Sequence, residues 1–140
     1  MSDLALEVTE TPEPGDVDVI GKALAAFNDV DVGPAARRII AVFLRDEAGA
    51  IVAGLSGYTA WGWLYVQWLF VSEAQRGKGL AGHMLRAAEA EAKARGCHSA
   101  HIDTFNPHAL GTYERAGYVV FGQLPDFPLG RTRSFLAKRL

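Results

Sequence analysis

The sequence predicts an α/β fold, a mixed central sheet of about seven strands with helices on both faces. Three observations carry that expectation. Short runs in which apolar residues alternate are interleaved with longer runs in which they recur at helical spacing. An apolar run over residues 64–71 feeds a glycine-rich turn, Arg76-Gly77-Lys78-Gly79-Leu80-Ala81, which opens a strongly helical stretch over residues 80–95. A further strand-like run over residues 100–105 follows that helix, as two parallel strands joined by a crossover require.

Composition bounds the organisation. A chain of 140 residues suits a single domain, residues 1–140, with a core of useful size. Its 49% hydrophobic and 21% charged residues are ordinary for a globular protein. Fourteen basic residues against sixteen acidic ones give a formal net charge of −2, so no basic field is expected to hold nucleic acid or an anionic membrane. The single cysteine, Cys97, excludes an internal disulfide framework and fits a reducing compartment. Met1-Ser2-Asp3 does not begin a secretory signal, and no apolar run reaches membrane-spanning length, so a cytoplasmic location is expected. Four histidines and one cysteine show no metal-ligand spacing, and no metal site is expected.

In chain order, residues 4–9 alternate as a half-buried strand does, and Thr11-Pro12-Glu13-Pro14-Gly15 breaks the run. Asp16 is placed to cap a helix whose stripe is Val17, Ile20, Leu24 and Phe27, ending over residues 29–34. Residues 39–44 and 51–58 read as antiparallel strands around Asp46-Glu47-Ala48-Gly49, and residues 63–71 as a third. Tyr58, Trp61, Trp63, Tyr65 and Trp68 make this hairpin dense in aromatics; they suit cross-strand packing, and one face could also wall a flat or cationic ligand. The helix over residues 80–95 carries Leu80, Met84, Leu85, Ala88 and Ala92 on one stripe, with Glu89 and Lys93 spaced as an i,i+4 pair and Gly96 placed to end it. His83, His98 and His101 read as structural. Asn106 is placed to cap a short helix with Pro107 at its first position, closed by Gly117. Residues 118–123 and 131–138 form a last strand pair around a loop stiffened by Pro125 and Pro128, suited to be a pocket rim.

The turn at residues 76–81 points to a phosphate ligand. Unpaired N–H groups and the positive end of the helix dipole attract phosphate oxygens, Gly77 and Gly79 let the backbone approach, and Arg76 and Lys78 add cations. Gly77-Lys78-Gly79-Leu80-Ala81-Gly82 also satisfies the G-x-G-x-x-G of dinucleotide-binding folds, with Asp103 about twenty residues downstream. That reading fails on position: residues 72–76 separate the strand from Gly77, and too little chain follows Asp103 for further βα units.

The sequence resembles the GNAT superfamily of acetyl-coenzyme A-dependent N-acetyltransferases. Arg76, Gly79 and Ala81 meet its Q/R-x-x-G-x-G/A signature. A second block, Asn106-Pro107-His108-Ala109 followed by Tyr113-Glu114-Arg115-Ala116-Gly117-Tyr118, resembles its N-x-x-A-x-x-x-Y-x-x-x-G-F/Y. The resemblance runs from residue 39 to the C-terminus, and before that only in outline. It implies the family's fold, with a cleft between two splayed parallel strands. Leu69, Phe70 and Val71 would meet the pantetheine arm through their backbone. Arg76, Gly77, Lys78, Gly79, Leu80 and Ala81 would bind the pyrophosphate of acetyl-coenzyme A, and Asn106 would contact the coenzyme further along. Tyr113 would protonate the departing thiolate.

The implied reaction is acetyl transfer to a primary amine of a small molecule by direct attack in a ternary complex. A peptide or protein amine, or a coenzyme-binding sensor without turnover, are the alternatives; Tyr113 argues against the sensor. Many relatives place a carboxylate base on the strand before the phosphate turn. Here that strand reads Trp63, Tyr65, Gln67 and Trp68, which leaves Asp103, Asp126, His108 or a water chain as candidates. Asp103 is the first choice for binding or deprotonating the amine, with Asp126 on the pocket rim and Trp63 as an aromatic wall. The resemblance also implies a homodimer.

Overall fold

The computed structural model describes residues 4–140, which divide into two units at Ala35/Ala36. In the first unit α1, Asp16–Val32, begins at Gly15, which has φ 93°, so the cap falls one residue before the expected Asp16. Asp16 and Asp18 then complement the positive helix start, and Gly33 N–H closes the end on Asp29 O at 3.1 Å. None of its residues is buried, and Val17, Ile20, Leu24 and Phe27 of the expected stripe are all exposed. The strand expected over residues 4–9 does not form. Alternation alone does not make a strand, because its N–H and C=O groups need a neighbour to pair with, and all six of these residues are exposed.

The second unit is built on a six-stranded sheet in the order β1-β2-β3-β4-β6-β5. The strands are β1 Arg38–Arg45, β2 Ile51–Ala60, β3 Trp63–Val71, β4 Ser99–Thr104, β5 Val119–Pro125 and β6 Thr132–Arg139. Only β3 and β4 pair in parallel; α2, Leu80–Ala94, connects them, and α3, Pro107–Arg115, follows β4. The mixed α/β architecture is the expected one, with six strands in place of about seven. Local chemistry sets the turns. Asp46 Oδ1 accepts from the N–H groups of Ala48 and Ala50, both at 2.9 Å, and Trp61-Gly62, both at positive φ, form a two-residue hairpin turn between β2 and β3.

The core lies between one face of the sheet and α2 and α3. Alternate strand residues Ile40, Leu55, Leu64, Val66, Ala100, Ile102 and Leu136 meet Met84, Leu85, Ala88 and Ala92 of α2, with Tyr113 and Tyr118 beside them. The helical stripe read from the sequence is therefore the buried one. Glu89 departs from its expected pairing with Lys93. It is buried, and its carboxylate accepts from Tyr118 Oη and Lys138 Nζ, each at 2.8 Å, while Lys138 also donates to Ala116 O at 2.9 Å. A carboxylate turned into the core must find its cation there, and strand β6 supplies it from far along the chain. The surface i,i+4 pair of this helix is instead Glu91 with Arg95, at 2.8 Å.

Candidate active site

The two parallel strands part where the site begins. β3 and β4 pair from Trp63/Ser99 to Val66/Ile102, while β3 runs on to Val71 and β4 to Thr104 without pairing each other. A bulge on β3, where Gln67 is the extra residue between Val66 and Trp68 and faces the Ser56–Gly57 step of β2, bends β3 at this point. Gly57 is required there, since a Cβ would collide with the carbonyl oxygen of Tyr65. The separation leaves the β4-facing backbone edge of residues 67–71 open for an extended ligand, as a missing strand would leave it.

Beyond Val71 the chain makes a single turn of 3₁₀ helix, Glu73–Gln75, and enters the glycine-rich turn. Arg76 Nε donates to Val71 O at 3.0 Å, holding the turn against the strand end, and Lys78 Nζ donates to Gln75 Oε1 at 2.9 Å. Gly77 and Gly79 sit at φ 78° and 73°, in left-handed conformations that strain a side-chain-bearing residue, and a Cβ on either would point into open space. Gly79 caps α2 without a side-chain hydrogen bond, and the helical ladder starts with His83 N–H donating to Gly79 O at 3.1 Å. The amides of Leu80, Ala81 and Gly82 precede that ladder, so they are free to donate to an anion at the positive end of the helix.

A cavity of about 1000 Å³ joins this turn to the strand opening and to α3. Its lining brings together Arg76, Gly77, Gly79, Leu80, Ala81, Asn106 and Tyr113 of the two sequence blocks with Leu69, Phe70 and Val71, which the resemblance adds. Lys78 is not among its lining residues; its ammonium turns back to Gln75. Asn106 spends its side chain on the helix, Oδ1 accepting from His108 N at 2.8 Å and Ala109 N at 3.1 Å, and Pro107 occupies the first helical position as expected. Arg86, Arg115, Thr104, Thr112 and His108 also line the cavity. The first four are not signature positions; the period of α2 and α3 is the signal that could have placed Arg86, Arg115 and Thr112, and the end of β4 the one for Thr104.

Tyr113 is the one buried residue of α3, and it lines the cavity. Burial, with the nearby Asp103 charge second, pushes its pKa up to about 12. The phenol therefore stays protonated throughout the neutral range, which suits a proton donor and not a base.

Asp103, Trp63 and Asp126 do not line that cavity. Asp103 lies one residue before Thr104, on the sheet face opposite the core, in a cluster that the sequence does not announce. Tyr65 Oη donates to its Oδ1 at 3.0 Å and Arg133 Nη1 to its Oδ2 at 2.9 Å. Burial raises the Tyr65 pKa, with the Asp103 hydrogen bond next. His101 stacks on Tyr65 with ring centroids 4.6 Å apart, Trp63 meets His101 edge-on at 5.7 Å, and burial lowers the His101 pKa and favours the neutral ring. Asp126, at φ 52°, accepts from Gly130 N–H at 3.1 Å and so closes its own loop. Among the described residues no cluster of three or more metal-ligating side chains is found, and no helix is long and apolar enough to cross a membrane.

Comparison with known proteins meets this geometry. Residues 9–118 match the Acetyltransferase (GNAT) family. The chain is 46% identical over 116 residues to Acetyltransferase Atu2258 of Agrobacterium fabrum, covering 83% of this chain and 85% of that one. It is 36% identical over 103 residues to Blasticidin-S acetyltransferase of Streptomyces morookaense, covering 73% and 76%. Among solved structures, an acetyltransferase candidate from Agrobacterium tumefaciens superposes with a TM-score of 0.92 at 39% identity, over 98% of this chain and 100% of the other. A glycine-rich turn with free helix-start amides, an open strand edge and a protonated tyrosine around one cavity are thus found in a chain that belongs to the GNAT family of acetyltransferases.

Proposed function

We propose that this acetyltransferase moves the acetyl group of acetyl-coenzyme A to a primary amine of a small molecule, by direct attack within a ternary complex. The observation that carries the reading is the continuous cavity from the amides of residues 80–82 to the Tyr113 hydroxyl. Residues 76–81 would hold the pyrophosphate, the open edge of residues 69–71 the pantetheine arm, and Asn106 the start of α3 beside it. The acceptor nitrogen forms its bond to the thioester carbonyl carbon as the carbon–sulfur bond breaks. The sulfur receives a proton from Tyr113, and the nitrogen gives one up to Asp103. Backbone N–H groups at the strand opening are suited to stabilise the developing oxyanion. Trp63 and Asp126 complete the acceptor side as wall and rim.

The similarity to Blasticidin-S acetyltransferase supports a small-molecule acceptor over a protein one. Cys97, a lone and buried thiol, supports a reducing, cytoplasmic setting. Family resemblance supports one catalytic domain working as a homodimer, which light scattering checks. The deciding experiment is release of free coenzyme A thiol on mixing enzyme and acetyl-coenzyme A with a panel of small amines. Release that depends on both substrates is expected; release with peptides alone, or with no amine, would overturn the reading.

A further inference from the structure

On the acceptor side a cation stands with most of its donors unspent. Arg133, on β6 beside β4, keeps only 22% of its side chain exposed and donates from Nη1 to Asp103 Oδ2 at 2.9 Å. Its Nε is buried without a hydrogen-bond partner, and it is the one buried side-chain polar atom among the described residues in that condition. A buried donor left unpaired costs about 1–3 kcal/mol, so a site that retains one is poised for an acceptor atom. The guanidinium lies against two aromatic rings, 4.0 Å from the centroid of Phe127 and 5.1 Å from that of Phe105. With those rings against it and Nη1 taken by Asp103, the edge formed by Nε and Nη2 remains; Nε is shielded from solvent, so a ligand engages it by displacing what covers it. That edge presents two parallel N–H groups, the fork that binds a carboxylate in two-point fashion.

Asp103 fixes what accompanies the carboxylate. Its own charge is balanced by Arg133 and tied by Tyr65 Oη at 3.0 Å, so the pair as a whole is neutral but strongly dipolar. A ligand bearing only a cation would meet Arg133 beside its counter-ion, and one bearing only an anion would meet Asp103. A ligand with an ammonium and a carboxylate on adjoining atoms complements both. The next residue, Thr104, lines the coenzyme cavity, so an ammonium on Asp103 lies at the end of the cleft where transfer takes place.

We infer that the acceptor is an α-amino acid or a compound with a free α-amino acid head, its carboxylate held by Arg133 and its amine by Asp103. The inference rests on the acetyl-transfer reading above and names the acceptor class for the same site. The product is the corresponding N-acetyl amino acid; the bound ammonium first releases one proton to solvent, and the neutral amine then follows the proton and thiol balance already given.

The test compares matched acceptors: the twenty proteinogenic L-amino acids, their amides and their decarboxylated amines, read as thiol release at saturating acetyl-coenzyme A. At least one free amino acid should exceed its amide and its amine about tenfold or more in kcat/KM, because a buried fork left unpaired rejects the analogue. Arg133→Gln should erase that preference while acetyl-coenzyme A still raises the Tm of the variant. Should Arg133→Gln fail to fold, Arg133→Lys serves, since it keeps a cation beside Asp103 and removes the fork; it too should lose the preference. Equal rates for acid and amide, or acetylation confined to amines without a carboxylate, would overturn this inference and leave amine acetylation standing. No release with any amine, together with no coenzyme-dependent Tm shift, would overturn both.

Discussion

At the coenzyme end of the cleft, one strand, one turn and the start of one helix supply every proposed contact except Asn106 and Tyr113, and most of those contacts are backbone amides. At the proposed acceptor end, Tyr65, Asp103 and Arg133 come from β3, β4 and β6, and every contact is a side chain. The coenzyme is the same molecule for every member of such a family, so a rigid local device suffices for it. The acceptor varies, and a sheet face can be rewritten one side chain at a time without moving the strands. The contrast predicts that substitutions at the two ends fail in different ways.

The largest effect belongs to neither end but to what joins them. Glu89 ties α2 to Tyr118 and Lys138, and Tyr118 N–H donates to Tyr113 O at 3.0 Å just past α3. Glu89→Ala leaves a partly buried ammonium without its counter-ion, donating only to Ala116 O, and a buried phenol without its acceptor, and a loss of about 3–5 kcal/mol in unfolding free energy is expected by denaturant titration. A loss under about 1 kcal/mol would show that the two ends do not share this support. Next comes Tyr113→Phe, expected to lower kcat about a hundredfold with acetyl-coenzyme A affinity unchanged, since the ring and its packing remain. Full turnover in that variant, with chemistry limiting, would remove the proton donor.

These two predictions rest on unequal sequence signals. The phosphate turn was legible because its chemistry is contiguous: Gly77 and Gly79 are needed for their positive φ, and six adjacent residues report it. Tyr113 was legible because Asn106, Pro107 and Gly117 fix the start and end of its helix. The partner of Asp103 was not, because Arg133 is thirty positions away and reaches it only through the β4–β6 pairing, an order that no local pattern encodes. Glu89 misled for the same reason, its spacing to Lys93 suggesting a surface pair while its actual cation lies on β6. Residues 4–9 misled in the opposite sense, since their alternation is genuine and no strand forms on it.

Smaller effects sharpen the contrast. Asp103→Asn should raise the acceptor KM about tenfold and leave acetyl-coenzyme A binding near wild type, because Asp103 does not line the cavity proposed for the coenzyme. Equal loss at both substrates would erase the distinction between the two ends. The pH dependence should be the smallest change. A Tyr113 pKa raised to about 12 keeps the donor protonated below that value, so its activity would be lost only as pH rises through about 12. The kcat profile should therefore show no falling limb between about pH 7 and 10. A falling limb there that vanishes in Tyr113→Phe would contradict the raised pKa.

The most direct test is thermal melting of the wild-type protein and of Gly79→Val with acetyl-coenzyme A or a nicotinamide dinucleotide. Ligand at about a hundred times its Kd stabilises by about 2.7 kcal/mol, which corresponds to several degrees of Tm for a chain of this size. The account predicts that rise for wild type with acetyl-coenzyme A, none with the dinucleotide, and none with either ligand for Gly79→Val, whose β-branched side chain is strained at φ 73° and projects where phosphate must approach. Stabilisation of the wild type by the dinucleotide alone, or an undiminished acetyl-coenzyme A shift in Gly79→Val, would contradict it.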